Sequence, residues 1–524
     1  MSQMLKSSGA MGVATLTSRV LGMVREIVYA RFMGDGRVAG AFLLAFTIPN
    51  LFRRLLGEGA LTAAFIPLFK EKEKTAGEQE MWRAANAVIS GLVVSATAII
   101  GLVLAGVSLA LAVRGFSHET RLMLELLRVM FPYMLLVCLA AVFMGMLNAR
   151  GYFFIPAMGA TMLNIVMIVS VLWLAPRMGR TLDTQIFGLA IGVLVAGVAQ
   201  AAFQLPTLRR EGFRYRWVSP WNNDSVRRVV IQMIPGTIGV AAFQINVLLT
   251  QSLAFCLDPG IVASFNYAVR LMELPQGVFG ISLATFLLPA LSGLAAEKKF
   301  QDFRTLLGQG LDHLVFINLL ASVLLLVSAE PIVRLLFERG QFSADATARA
   351  AYALACLAPG LVAFSLVNIL ARAFFALGDT TTPMKISVIC LAVNLVLVSL
   401  LVAPYRQGGL GLANTASAVL NVALLYRALR RKLPVMEMPE LRRNIVPTAA
   451  AAALAGGLCW FLSRQWELTL GHAGLAMKLG AVFVPLAVAT LLYWGVAMAL
   501  KVDSVREINA LFSQRLGFRA RDKR

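Results

Sequence analysis

The sequence predicts an all-α polytopic membrane protein: 14 transmembrane helices, arranged as two pseudo-twofold-related six-helix lobes plus two C-terminal helices. Three observations lead there. Of 524 residues, 59% are hydrophobic and only 14% charged, and mean hydropathy is +0.75. Ordinary soluble domains are about 45–50% apolar and about 25% charged, so a soluble multidomain enzyme is excluded. Apolar runs long enough to span a bilayer recur along the chain, and their punctuation repeats at a nearly constant offset.

A spanning helix needs about 20 mostly apolar residues. Cutting the chain at its charged and Pro/Gly-rich breaks leaves candidates at 9–32, 38–69, 84–113, 122–148, 156–175, 185–207, 226–257, 261–296, 305–328, 347–377, 384–404, 409–429, 444–463 and 474–500. The first runs well past a signal-peptide core and no small-residue cleavage site follows, so it is expected to remain as a span. Spans two and eight exceed what a bilayer requires and contain Pro49, Gly57 and Gly59, or Pro275, Gly277 and Gly280. Bent or broken helices beside a polar cavity are predicted there.

The duplication shows in three sets of residues. Gly188-Leu189-Ala190, Gln200 and Leu208-Arg209-Arg210 recur 221 residues on as Gly409-Leu410-Gly411, Asn421 and Leu429-Arg430-Arg431. Pro132, Gly151 and Pro156 recur 227 residues on as Pro359, Gly378 and Pro383. Phe65-Ile66-Pro67-Leu68 recurs 222 residues on as Leu287-Leu288-Pro289-Ala290. The implied organisation is an N-terminal six-helix lobe (1–220), a C-terminal six-helix lobe (221–440), and two extra helices with a basic tail (441–524). Six is even, so both lobes enter the membrane from the same side, and repeated lobes with bent helices are the architecture of alternating access.

Formal net charge is +21, from 48 Lys+Arg against 27 Asp+Glu. With the N-terminus cytoplasmic, 29 cations fall in loops and tail on that side, 12 on the other and seven within spans. Cytoplasmic N- and C-termini therefore follow from the positive-inside bias. The basic stretches near 206–228, 427–443 and 501–524 fit topology and anionic lipid. A nucleic-acid role is the weaker reading of the same charge. Five cysteines (Cys138, Cys256, Cys356, Cys390, Cys459) lie in apolar runs without CxxC spacing, and three scattered histidines make no HExxH. No metal site, cofactor motif, phosphate-binding loop or catalytic constellation is expected.

The seven cations inside spans are Arg19, Arg25, Arg53, Arg54, Arg128, Arg270 and Arg372. An ionised group at the bilayer centre costs at least about 2.5–3.5 kcal/mol, so such groups usually face a cavity. Arg19, Arg25 and Glu26 in span one, Asn50, Arg53, Arg54 and Glu58 in span two, and Arg270 and Glu273 in span eight are the candidate substrate-binding residues. On α-helical spacing, Arg54 meets Glu58 and Arg270 meets Glu273, which leaves Arg53 as the freer donor. Arg128 reads as a snorkelling residue, and Arg372 and Asp379 as shaping a helix end and turn. Clustered guanidinium groups favour an anionic phosphate or carboxylate substrate.

Four stretches carry a resemblance: Ser18-Arg19-Val20-Leu21-Gly22-x-x-Arg25-Glu26; Pro49-Asn50-Leu51-Phe52-Arg53-Arg54-x-x-x-Glu58-Gly59-Ala60 with Ala64-Phe65-Ile66-Pro67; Arg270-Leu271-Met272-Glu273-Leu274-Pro275-x-Gly277-Val278; and Ala376-Leu377-Gly378-Asp379-Thr380-x-Thr382-Pro383-x-Lys385. Together they closely resemble the MurJ (MviN) family of bacterial lipid II flippases, within the multidrug/oligosaccharidyl-lipid/polysaccharide exporter superfamily, over at least residues 5–432. The resemblance implies movement of lipid II, the undecaprenyl-diphosphate-linked disaccharide-pentapeptide, across the bacterial inner membrane for peptidoglycan synthesis and cell-wall biogenesis. By matching position, Arg19, Arg25, Arg53 and Arg270 are similar to the family's cavity arginines, with Glu26, Glu58 and Glu273 as acidic neighbours. The last two spans would line the groove for the lipid tail. The chain departs from the family at Gly40, Thr47 and Val269, where members often carry Asp, Lys and Asp. Spans seven, eleven and twelve hold no Asp or Glu for the sodium ion some members bind, leaving Asn394, Asn414 and Thr415 as neutral ligands.

The expected partners are lipid II, membrane lipids and cell-wall synthesis proteins, with the chain acting as a monomer. An exporter of another polyprenyl-linked glycan and a non-transport assembly scaffold are the alternatives. A membrane glycosyltransferase is weaker, because no DxD pair or sizeable soluble domain is present to hold a nucleotide sugar.

Overall fold

The computed structural model describes residues 2–57, 60–433 and 439–515, and these contain helices without any β-strand. Among them, nine helices are long and apolar enough to cross a membrane, or twelve if each of three bent pairs is one span. The chain is a multi-pass membrane protein. The fourteen predicted spans exceed that count. Two of the nine helices are 54 and 52 residues long, Ala60–Val113 and Thr381–Lys432, and each contains a non-helical residue, Gly77 (φ 85°) and Arg406 (φ 50°). Both breaks fall where the sequence places short loops.

The chain forms two compact units, Met1–Ala263 with Arg339–Phe342, and Ser264–Glu338 with Ser343–Arg524. The first contains α1 (Ser2–Met33), α2 (Arg37–Phe52), α3 (Ala60–Val113), α4 (His118–Met130), α5 (Tyr133–Ala149), α6 (Phe154–Val169), α7 (Leu182–Arg210) and α8 (Asp224–Leu257). In it α1 packs on α6, α6 and α5 on α7, and α3 on α5 and α8. Polar side chains join these apolar helices, as expected where lipid supplies no hydrophobic drive for association. Gln200 of α7 accepts the Tyr133 hydroxyl (3.3 Å) and donates to the Gly159 carbonyl (3.2 Å), while Gln204 donates to the Ala140 carbonyl (3.0 Å).

Helix α9 (Pro259–Pro275) leads into the second unit, which continues with α10 (Ser282–Ala296), α11 (Phe300–Val327), α12 (Ala329–Phe337), α13 (Ala344–Leu357), α14 (Gly360–Ala376), α15 (Thr381–Lys432), α16 (Pro439–Thr469), α17 (Leu475–Ala499) and α18 (Asp503–Arg515). One of its cores joins Leu287 and Leu291 of α10, Phe303 and Leu311 of α11, Phe374 of α14 and Leu425 of α15. Helices α16 and α17 pack through small residues: Ala451, Ala455 and Cys459 recur every fourth position on one, Ala489 and Ala497 flank Tyr493 on the other, and all are fully buried. Such spacing places them on one face and lets the backbones approach closely. The Tyr493 hydroxyl donates to the Phe316 carbonyl of α11 (2.7 Å).

The duplication has a structural counterpart in each half. Proline lacks the amide hydrogen that closes the preceding turn, so it kinks a helix. The α4–α5 pair bends by 42° next to Pro132 and the α13–α14 pair by 45° next to Pro359. The sequence marks both prolines as a repeat, yet reading 122–148 and 347–377 as single spans overlooks the bends. Spans two and eight do break, each in a π-helical turn: Arg53–Gly57 shortly after Pro49, and Gln276–Ile281 directly after Pro275. The repeated Gly151 and Gly378 end helices at φ 87° and 75°, conformations that cost other residues most. A Cβ on Gly188 would lie 2.7 Å from the Ala175 Cα, and one on Gly409 2.2 Å from the Leu401 carbonyl oxygen.

Ionic clasps tie the loops of each unit. Arg150 bonds Glu73 (2.5 Å), Glu78 (3.1 Å) and Glu211 (2.8 Å). The Tyr152 hydroxyl and the Arg150 guanidinium hold the Glu211 carboxyl below its ordinary range. In the other unit Lys432 pairs with Asp379, whose oxygens also accept the Thr381 and Thr382 amides and the Thr382 hydroxyl. Asp379 thus shapes the turn, as its sequence context predicts.

Candidate substrate-binding site

In the first unit, one candidate site is built where α1 meets α6. Arg25 donates through Nη1 to Asn164 Oδ1 (3.0 Å) and through Nη2 to Glu26 Oε1 (2.5 Å), and its guanidinium carbon lies 5.5 Å from the Tyr29 ring centroid. Asn164 Nδ2 in turn donates to the Ser18 carbonyl (3.1 Å), locking its amide. The Arg25 side chain is 15% exposed and that of Glu26 9%, and Arg25 Nε is buried without a hydrogen-bond partner. Desolvating a guanidinium is expensive unless its hydrogen bonds are met. A guanidinium held in this way is pre-oriented, and its remaining Nη donors can meet an anion's oxygen. Arg19, two turns earlier, is exposed and forms no ion pair among the described residues.

Asn164 is not among the sequence candidates. The available signal is a lone carboxamide inside the apolar span 156–175, where a buried polar group needs a partner; nothing local indicates that its partner lies 139 residues away.

In the second span, Asn50 Oδ1 accepts from Arg53 Nε (2.7 Å), and Asn50, Arg53 and Arg54 are all half-buried. Arg53 thus commits its Nε to Asn50, and Arg53 and Arg54 open a π-helical turn, whose i→i+5 ring is wider than an α-helical one. Glu58 lies outside the described residues. In the second unit, Arg270 Nη1 meets Glu273 Oε2 at 2.8 Å on one face of α9, with the side chains 37% and 47% exposed. That i,i+3 pair forms as the sequence predicts.

Arg128 is exposed on the last turn of α4, in keeping with a snorkelling role, and Arg372 is half-buried on α14. Of the neutral cation-ligand candidates, Asn414 donates to the Leu410 carbonyl (2.8 Å) and Thr415 to the Cys356 carbonyl (3.1 Å); Asn394 is buried. No group of three or more His, Cys, Asp or Glu suited to a metal occurs among the described residues. At two departures from the family pattern the packing supplies a reason. A Cβ on Gly40 would lie 2.1 Å from the Pro259 carbonyl oxygen, so no side chain fits, and Thr47 donates to Gln251 Oε1 of α8 at 3.1 Å.

Comparison with known proteins places these broken helices and partly buried arginines in a class. The family described as lipid II flippase MurJ matches residues 29–479. The chain belongs to the MurJ family. A relative from Vibrio cholerae serotype O1, named a probable lipid II flippase MurJ, is 33% identical over 509 residues, covering 94% of this chain and 92% of that protein. The lipid II flippase MurJ of Burkholderia cenocepacia is 32% identical over 491 residues, covering 92% and 94%. Among solved structures, a lipid II flippase MurJ in an inward closed conformation superposes with a TM-score of 0.75 at 22% identity, covering 97% of this chain and 99% of the other. An inward-facing MATE-family multidrug transporter of the MOP superfamily shares the fold at TM-score 0.66 and 12% identity, covering 80% and 95%. The MurJ family is one of transporters, not of enzymes.

Proposed function

We propose that the chain moves lipid II from the inner to the outer leaflet of the bacterial inner membrane by alternating access, with N- and C-termini cytoplasmic. The observation that carries the reading is the Arg25 constellation: a guanidinium fixed by Asn164 and Glu26 in a member of the MurJ family. The substrate's diphosphate and carboxylates dock on Arg19, Arg25, Arg53 and Arg270, steered by Glu26, Asn50, Arg54, Glu58 and Glu273, while the prenyl chain stays in lipid. Lobes of residues 1–220 and 221–440 rearrange, and 441–524 contributes the tail-side helices. A ligand shifts such an equilibrium only by its differential affinity for the two states. The anionic headgroup does so by neutralising arginines whose charge opposes closure. Bidentate guanidinium–phosphate bonds supply strength and orientation without fixing the glycan.

Two measurements test this. Expression should restore growth to a strain depleted of its lipid II flippase, which separates lipid II from another polyprenyl-linked glycan. Arg25→Glu should abolish flipping in a headgroup-accessibility assay while the protein remains folded. Undiminished flipping by that variant sinks the binding role, and growth supported by charge-neutralised variants would favour a scaffold.

A further inference from the structure

One well-formed recess lies away from all of the candidate arginines. It is a cavity of about 750 Å³ between α3 and α8, with walls that include Leu61, Leu92 and Val94 on one side and Val229, Met233 and Ile234 on the other. A shallower hollow of about 380 Å³ shares Pro220, Asn222, Val226 and Val230 with it and adds Asn223, Arg227 and Ile231, so the recess runs out to the start of α8. The outer wall is open: Val230, Ile231 and Ile234 are each more than half exposed. In a membrane protein these side chains meet hydrocarbon.

The mouth has a different chemistry. The segment 213–221 is strapped along α3, with Asn86 donating to the Arg214 carbonyl (3.1 Å) and Ser90 within 3.2 Å of the Tyr215 hydroxyl. It presents Tyr215, Trp217 and Trp221 at 49%, 59% and 72% exposure, interleaved with Arg214 and Arg216. Aromatic rings alternating with cations mark the headgroup level of a bilayer. Arg227 is exposed at the edge of the hollow and makes no ion pair among the described residues, whereas its neighbour Arg228 bonds Glu71 at 2.7 Å. Asp224 lies one turn away and forms no bridge to Arg227; the Asn223 side chain already caps the Ser225 and Val226 amides. The rim therefore offers unspent positive charge over an apolar slot.

We propose that this recess is a binding site for an anionic glycerophospholipid, one acyl chain lying between α3 and α8 and the phosphate resting on Arg227 with Arg214 and Arg216. Moving an acyl chain from bilayer to groove changes little apolar exposure, so the slot contributes shape and the cations contribute selectivity. The site rests on the membrane-protein reading alone and does not require that the chain flip anything.

The test uses the full chain in nanodiscs of equimolar phosphatidylglycerol and phosphatidylcholine, released into mild detergent and weighed intact to count retained lipid. Phosphatidylglycerol should be retained in excess. Arg227→Gln should cut that excess about fivefold, the effect of one cation at a membrane surface, while Arg209→Gln at the exposed end of α7 should leave it unchanged. Val94→Trp, filling the slot, should remove the retained lipid without altering the helical circular dichroism spectrum. Equal retention of the two lipids, or an Arg227→Gln variant indistinguishable from Arg209→Gln, overturns the site. Displacement of phosphatidylglycerol by equimolar undecaprenyl phosphate overturns the choice of occupant. Neither readout depends on lipid II transport, so its failure and that of the flippase reading are separable.

Discussion

Replacing Asn164 with Leu keeps the volume of that side chain roughly constant while deleting both its bonds, to Arg25 Nη1 and to the Ser18 carbonyl. The Ser18 carbonyl lies within α1, so the larger consequence falls on Arg25. A hydrogen bond to a charged group contributes about 1.5–3 kcal/mol. If that sum is what holds the guanidinium in its binding orientation, affinity for lipid II should fall about ten- to hundredfold, since about 1.4 kcal/mol corresponds to a factor of ten. Asn164→Asp separates position from charge: it retains an acceptor for Arg25, but its carboxylate occupies the guanidinium and repels the diphosphate. The Asn164→Asp variant, which keeps the Arg25 bond but not the Ser18 bond, should therefore retain more thermal stability than Asn164→Leu and still bind poorly, whereas Asn164→Leu should lose both. Lipid II binding to the purified chain, with a melting curve on the same sample, reads both quantities. Parental affinity in the Asn164→Leu variant would show that Arg25 needs no positioning from α6 and would refute the site as built here.

Three further outcomes follow from the same geometry. Arg270→Glu should abolish flipping, and adding Glu273→Arg should restore the α9 ion pair without restoring flipping, because the cation then sits one turn displaced; recovery of transport would reduce both residues to a structural pair. Ala455→Leu, at a fully buried contact of α16 with α11 and α17, should cost about 1–3 kcal/mol by overpacking, seen as a lower melting temperature, and an unchanged melt would mean that the helix pair is looser than drawn. Asp379 is held well below the ordinary carboxylate range by Lys432 and then by its Thr382 bonds. A depressed folded-state pKa contributes stability that is present above the unfolded value, about 3.9, and is lost as pH falls toward the folded value. The melting temperature of the parent should therefore decline below about pH 4, and Asp379→Asn should start lower at neutral pH and decline less; parallel curves would contradict the assignment.

How much of this can be read from the sequence differs from residue to residue. Hydropathy is a local property, so the helices, the broken second and eighth spans and the positions of Gly77 and Arg406 near loop sites are all legible from runs of residues. The Arg270–Glu273 pair is legible for the same reason, since three residues on one helix face are fixed by helical pitch. The π-helical turn at Arg53–Gly57 is less so, because its wider ring departs from the helical pitch on which such spacing arguments rest. Pro132 and Pro359 stand out in the repeat, but the bends beside them are not read from it.

The sequence by itself determined that this is a helical membrane protein of duplicated design with arginines where lipid should forbid them, because transfer free energy and helical period act over a few residues at a time. Only the tertiary structure decided what those arginines touch. Asn164 reaches Arg25 across 139 residues, and the α3–α8 recess joins segments more than a hundred residues apart. Such contacts are set by how the helices pack, a choice made by side-chain shape and hydrogen-bond satisfaction among distant parts of the chain rather than by any local pattern.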